Sequence, residues 1–252
     1  MSNARRFARV TGFLTALAAA AAWMWGGRPV GASLLAAVFL VLLPLMSLAK
    51  TTPDFDVRSQ RQALYVSSAV LLALLGITAT LGLWGLEEHP GWLLEPPASI
   101  GRLLLDSAAL CAACLGIVYA FHRLSPRFGW SEPDIVRDMM PETGREKGFF
   151  SLLSLSAGTG EEIAFRGFLP AYLTPWFGSY LTAALLPAIA FGLLHAYQGR
   201  HGILRTGLMG IAMAMGVALS GSIWAAMVAH TVLDLLLGLV LRDFFLPPHP
   251  EA

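Results

Sequence analysis

The sequence predicts an all-α protein: a polytopic membrane bundle of about eight transmembrane helices with both termini in the cytoplasm. Composition is the first reason. Of 252 residues, 56% are hydrophobic and 13% charged, where an ordinary soluble domain has about a quarter charged. Mean hydropathy is +0.64. The second reason is pattern, because the apolar residues fall in long runs instead of alternating at period two as membrane-barrel strands do. The third is the uneven sorting of basic residues among the segments that join those runs.

A helix needs about 20 apolar residues to cross a bilayer. Eight segments qualify, at about 10–26, 30–49, 63–86, 100–121, 149–173, 180–197, 203–219 and 221–241. The first follows Arg5, Arg6 and Arg9, is rich in alanine and ends near Trp25. That outline also fits a secretory signal, but seven further apolar segments favour a retained first helix. The fourth contains Cys111 and Cys114. A redox CxxC needs a helix start and access to solvent, so these read as packing residues, and no disulfide framework is implied. Arg102 and Asp106 near its outer end are spaced i,i+4, as in a structural ion pair. Pro187 in the sixth segment and Gly207, Gly210 and Gly216 in the seventh are poor choices in a soluble helix. In lipid they suit close helix packing.

The longest polar stretch, 122–148, carries Pro126, Pro133, Pro141 and mixed charges. It divides a single membrane domain, 1–252, into an accessory four-helix part at 1–122, a cytoplasmic loop at 123–148 and a functional core at 149–242. No internal repeat is evident, and the chain ends on Pro247, Pro248 and Pro250.

The cations orient the bundle. Arg5, Arg6 and Arg9, then Lys50, Arg58 and Arg61, five between the fourth and fifth segments, Arg200, Arg205 and Arg242 make fourteen on one side, against Arg28 and Arg102 on the other. The positive-inside rule puts the fourteen, and with them both termini, in the cytoplasm. The same split favours an even number of crossings. A net charge near +1 says nothing about partners, because the signs are sorted by membrane side, and nucleic-acid binding is not supported. The lipid bilayer is the first expected partner, and the hydrolytic reading below adds a membrane-anchored protein or peptide.

An ionisable side chain at membrane depth is costly and by default marks a functional site. The fifth segment carries Gly160-Glu161-Glu162-Ile163-Ala164-Phe165-Arg166-Gly167. Glu162 and Arg166 are i,i+4 and can pair on one face, while Glu161 is rotated by about 100° and lacks a local cation. Such a carboxylate is a candidate general base. The sixth segment ends Phe191-Gly192-Leu193-Leu194-His195, and the eighth holds His230 and Asp234 one turn apart, where a hydrogen bond between them would orient the imidazole. Any one of these reads as a helix-tying structural residue. Their coincidence on separate spans reads as a site that activates water, polarises a carbonyl and holds an oxyanion, which is peptide hydrolysis. Ser220 and Ser222 lie in a turn-like context, so no covalent nucleophile is indicated.

At these residues the chain resembles the CPBP family: the CAAX protease and bacteriocin-processing membrane endopeptidases, also called Abi proteins. The family pattern EExxxR, FxxxH, HxxxN appears as Glu161, Glu162 and Arg166, then Phe191 and His195, then His230 with Asp234. The resemblance covers roughly 149–241 and implies a glutamic intramembrane endopeptidase, with 149–242 as its catalytic core. It implies Glu161 as general base, His195 positioning the water, His230 stabilising the oxyanion, and Glu162 with Arg166 ordering the site. No cofactor is expected; the alternative is zinc at Glu161, His195 and His230. Asp234 stands where asparagine is common, and an ionised carboxylate cannot donate to an oxyanion. It is therefore either protonated or present to orient His230.

Alanine, glycine and arginine usage and short loops point to a bacterial inner membrane. There the resemblance implies peptides, bacteriocins or C-terminal sorting tails as substrates, including those of the myxosortase type. The alternative is a non-catalytic membrane protein, a bacteriocin self-immunity factor or scaffold, that keeps the motif as a buried polar network. A transporter using Glu161 and Asp234 as proton relays ranks third and lacks inverted repeats.

Overall fold

The computed structural model describes residues 27–49, 56–86, 91–97 and 99–246. The first predicted span with Arg5, Arg6, Arg9 and Trp25, together with Lys50 and the prolines Pro247, Pro248 and Pro250, lies outside the described residues. Among the described residues the regular structure is entirely helical, and each predicted apolar segment from residue 30 onward is helical over most of its length.

In chain order, α1 (Gly27–Ala37) passes through a π turn at Val38–Leu42 into α2 (Leu43–Ala49), and α3 is Arg61–Trp84. A long α4 (Ile100–Phe128) and a short α5 (Asp134–Asp138) precede α6 (Gly144–Glu162). That helix runs through a second π turn, Ile163–Phe168, into α7 (Leu169–Phe177). Next come α8 (Tyr180–Leu194), α9 (Gly199–Ser220) and α10 (Trp224–Leu235), then a π turn at Leu236–Val240 and α11 (Arg242–Phe245).

Val30–Ala49, Arg58–Trp84, Ile100–Phe128 and Ala196–Ser220 are long and apolar enough to cross a membrane, while Tyr180–Leu194 and Trp224–Val240 are apolar but shorter. Leu104, Leu105, Ile189 and Leu219 point outward, Leu219 at 80% exposure. Lipid solvates such a surface, which would be an aggregation hazard in water. The chain is a multi-pass membrane protein.

Two boundaries differ from the sequence expectation. The fourth span continues to Phe128, where Gly129 in the left-handed region (φ 64°) ends it. The fifth begins at Gly144, because Thr143 and Glu146 form a reciprocal capping box that satisfies two orphan amides of the first turn. The connecting loop is thereby shortened to 129–143.

Helix α6 is the axis of the bundle, packing on α3 along one side and on α10 along the other. Its glycines permit that. A Cβ on Gly160 would lie 2.0 Å from the Leu72 carbonyl oxygen, and one on Gly158 would lie 2.1 Å from Thr231 Oγ1. Backbones in such contact hold the residue that follows, Glu161, at a fixed height between α3 and α10. Two apolar cores flank the axis. One joins Phe39, Leu83, Phe165, Phe168 and Phe191, and the other Leu110, Cys114, Val217, Ala226 and Leu233. Cys111 and Cys114 are buried free thiols, and Arg102 Nε meets Asp106 Oδ2 at 2.7 Å, as the sequence leads one to expect.

The loop between α4 and α6 is tied down across one end of the bundle. Arg61, 4% exposed, donates to Glu142 Oε1 at 2.8 Å and to the Asp138 carbonyl at 2.7 Å. Tyr65 donates to the Met139 carbonyl at 2.6 Å, and Arg242 to the Pro141 carbonyl at 2.9 Å. The hydrogen bond from Arg61 holds the Glu142 carboxyl below its ordinary value.

Candidate active site

Glu161 and Glu162 are the last residues of α6 before its helical register widens. The amide of Leu169 bonds the Ala164 carbonyl, five residues back. Such π turns inside α-helices are frequent at functional sites. Within this turn Arg166 stands i,i+4 from Glu162, whose Oε1 accepts from Arg166 Nη1 at 2.9 Å. Both side chains are essentially sealed from solvent, at 0% and 2% exposure. The guanidinium also lies over the Phe191 ring, with Cζ 4.2 Å from its centroid, an arrangement in which the ring face attracts the cation. The Arg166 carbonyl accepts from Tyr180 at 2.8 Å.

The same Glu162 oxygen takes a second hydrogen bond, from His230 Nδ1 at 2.7 Å. A carboxylate only accepts, so Nδ1 carries the hydrogen and Nε2 is turned toward the cavity. Of the two roles that the sequence leaves open for Asp234, protonated donor or partner that orients His230, the second is not made here by a direct hydrogen bond. Asp234 Oδ2 stands 3.8 Å from Nε2, beyond hydrogen-bond length, and Glu161 Oε2 stands 3.7 Å from the same nitrogen. The physical reason is burial. Glu162 has no water to satisfy it and draws both cations onto one oxygen, whereas the Asp234 side chain is 33% exposed. Even so, Glu162 Oε2 has no hydrogen-bond partner among the described residues. Glu161 does have a basic group nearby, contributed by α10 and not by its own helix.

His195 closes the C-terminal end of α8. Its Nδ1 lies 2.8 Å from the Phe191 carbonyl, which can only accept, so the hydrogen again sits on Nδ1. In the neutral ring Nε2 is then left as an acceptor. Phe191 stands between these groups, its ring 4.8 Å from that of His195 and 6.2 Å edge-on from that of His230.

Glu161, Glu162, Arg166, His195, His230 and Asp234 all line one cavity of about 460 Å³, although they come from helices far apart in sequence. The cavity wall also includes Tyr65, Glu132, Tyr197, Gln198 and Arg205, which sequence reasoning does not single out. Tyr197 and Gln198 directly follow His195, and this adjacency is the one local signal available. Arg205 registers in the sequence only as a cytoplasmic charge. Among the described residues no three His, Cys, Asp or Glu side chains form a group that could hold a metal ion.

The arrangement offers an acidic oxygen and an imidazole acceptor to a water, with an anchored second imidazole facing the same space. Residues 146–236 match the family model described as Rce1-like, type II CAAX prenyl endopeptidase Rce1-like. No curated protein and no solved structure gives a significant match.

Proposed function

We propose, from the match of residues 146–236 to the Rce1-like type II CAAX prenyl endopeptidase model, that this chain is a glutamic intramembrane endopeptidase of the CPBP kind acting on a membrane-anchored protein or peptide in a bacterial inner membrane. The observation that carries the reading is the convergence of Glu161, His195 and His230 on one cavity, with His230 locked by Glu162.

In this mechanism a water donates one hydrogen bond to Glu161 and the other to His195 Nε2. As its oxygen attacks the substrate carbonyl carbon, Glu161 takes a proton. The carbonyl π electrons move to oxygen, and the oxyanion faces His230 Nε2. With Nδ1–H committed to Glu162, that nitrogen donates only in the imidazolium form, for which Glu162 and Asp234 are the counter-charges. When the tetrahedral species collapses, the C–N bond breaks and the amine leaves with the proton returned from Glu161. One new carboxyl end and one new amino end result. Arg166 and Glu162 act by holding His230 in place, and Asp234 acts as a charge instead of a hydrogen-bond donor.

A non-catalytic scaffold would account for the sealed Glu162–Arg166–His230 network but not for Glu161 and Asp234. Neither makes a side-chain hydrogen bond among the described residues, yet both face the cavity. Hydrolysis gives both a task.

The test compares membrane proteomes of cells with and without the protein. Anchored tails that remain uncleaved only in its absence are the expected result, and identical proteomes would remove the activity. Cleavage is expected to persist in excess chelator. A loss of activity restored by added zinc would replace the metal-free mechanism.

A further inference from the structure

The proposed reaction leaves the oxyanion with one imidazole donor, because Asp234 cannot donate when ionised. A second donor is built into the cavity wall. Arg205 Nη2 bonds Gln198 Oε1 at 2.9 Å, and a guanidinium has only donors, so the amide oxygen of Gln198 must face it. The amide nitrogen is thereby committed to the other side, where it bonds the Tyr197 hydroxyl oxygen at 3.0 Å. Tyr197 thus receives a hydrogen bond and, among the described residues, gives none.

Its ring is 5.9 Å from that of His195, and its side chain lines the same cavity as Glu161 and His230. The orientation is held from behind, since Arg205 is also paired with Glu132 of the loop. Gly202 leaves the space in which Gln198 sits, where a Cβ would come within 2.3 Å of the glutamine Cβ. The turn itself depends on Gly199, whose φ of 78° is disfavoured for residues with a side chain.

We infer that Tyr197 is a further catalytic residue whose hydroxyl donates to the substrate carbonyl oxygen as it becomes an oxyanion, with Gln198 and Arg205 as positioning residues. This rests on the proposed hydrolysis. The tyrosine proton is shared and not transferred, so the balance of the reaction is unchanged.

The probe is the tail peptide found uncleaved in the proteome comparison, synthesised with its anchor and presented in vesicles to the full-length protein. Tyr197→Phe removes only the hydroxyl. Loss of an oxyanion donor lowers kcat by about 100-fold, and a contact made only in the transition state leaves KM within about twofold. A purely structural role would instead lower the amount of folded protein or raise KM. Gln198→Leu, which frees the ring without removing it, lowers kcat by about tenfold through lost orientation and reads the effect if Tyr197→Phe fails to accumulate. Wild-type kcat in whichever of these variants folds overturns the inference. Glu161→Gln is measured beside them: if it is inactive while Tyr197→Phe turns over normally, only the role of Tyr197 falls, and if Glu161→Gln itself cleaves, the hydrolytic mechanism falls.

Discussion

Glu161→Gln accumulates in the membrane as the wild type does and cleaves its anchored substrate at least about 1,000-fold more slowly, within the range that a positioned general base contributes. The two halves of this result follow from different observations. The Glu161 side chain makes no hydrogen bond among the described residues, and its nearest basic atom, His230 Nε2, is 3.7 Å away. An amide of the same size therefore disturbs no contact on which the helices depend. It cannot, however, take a proton from water. Quantifying cleaved and intact tails, with thermal unfolding of the purified variant as the control for folding, checks both halves. Retained cleavage would remove Glu161 from the role of base.

Arg166→Met has the larger effect on the fold. Glu162 is fully buried and shares Oε1 between Arg166 and His230. Removing the guanidinium leaves a carboxylate in an apolar interior with one partner, and the loss of one member of a buried pair costs about 3–5 kcal/mol. The face of Phe191 loses its cation as well. The variant is expected to unfold at markedly lower temperature in detergent and to be inactive. Adding Glu162→Leu removes the stranded charge and recovers part of that stability, since apolar replacement of a whole buried pair is often close to neutral. The double variant stays inactive, because His230 Nδ1 has lost its acceptor. Equal stability of Arg166→Met and wild type would show that the pair does not hold the site together.

Some of the site is legible in one dimension, and the reason differs from residue to residue. The Glu162–Arg166 pair is visible because i,i+4 spacing on a helix fixes the distance between two side chains, and the same holds for Arg102 and Asp106. His195 and Glu161 stand out because charge and imidazole are rare at membrane depth. The i,i+4 rule misleads at His230 and Asp234. There the spacing permits a hydrogen bond, but the imidazole turns to the more deeply buried carboxylate on another helix, 68 residues away in sequence. Tyr197 and Gln198 pass unnoticed because polar residues at the end of a span ordinarily face the interface. Only the pairing of Gln198 with Arg205 distinguishes them.

Composition alone establishes the solvent of this chain. A bilayer requires every backbone polar group to be satisfied by the protein itself, and long runs without the period-two alternation of barrel strands meet that requirement as helices. The residues of the EExxxR, FxxxH and HxxxD stretches are likewise open to inspection before any coordinates exist. Which helix faces which was decided in three dimensions, by glycine contacts such as Gly160 against the Leu72 carbonyl and by the competition of His230, Arg166 and Asp234 for a few carboxylate oxygens. Burial and interhelical distance settle that competition, and neither quantity is defined until the helices have packed.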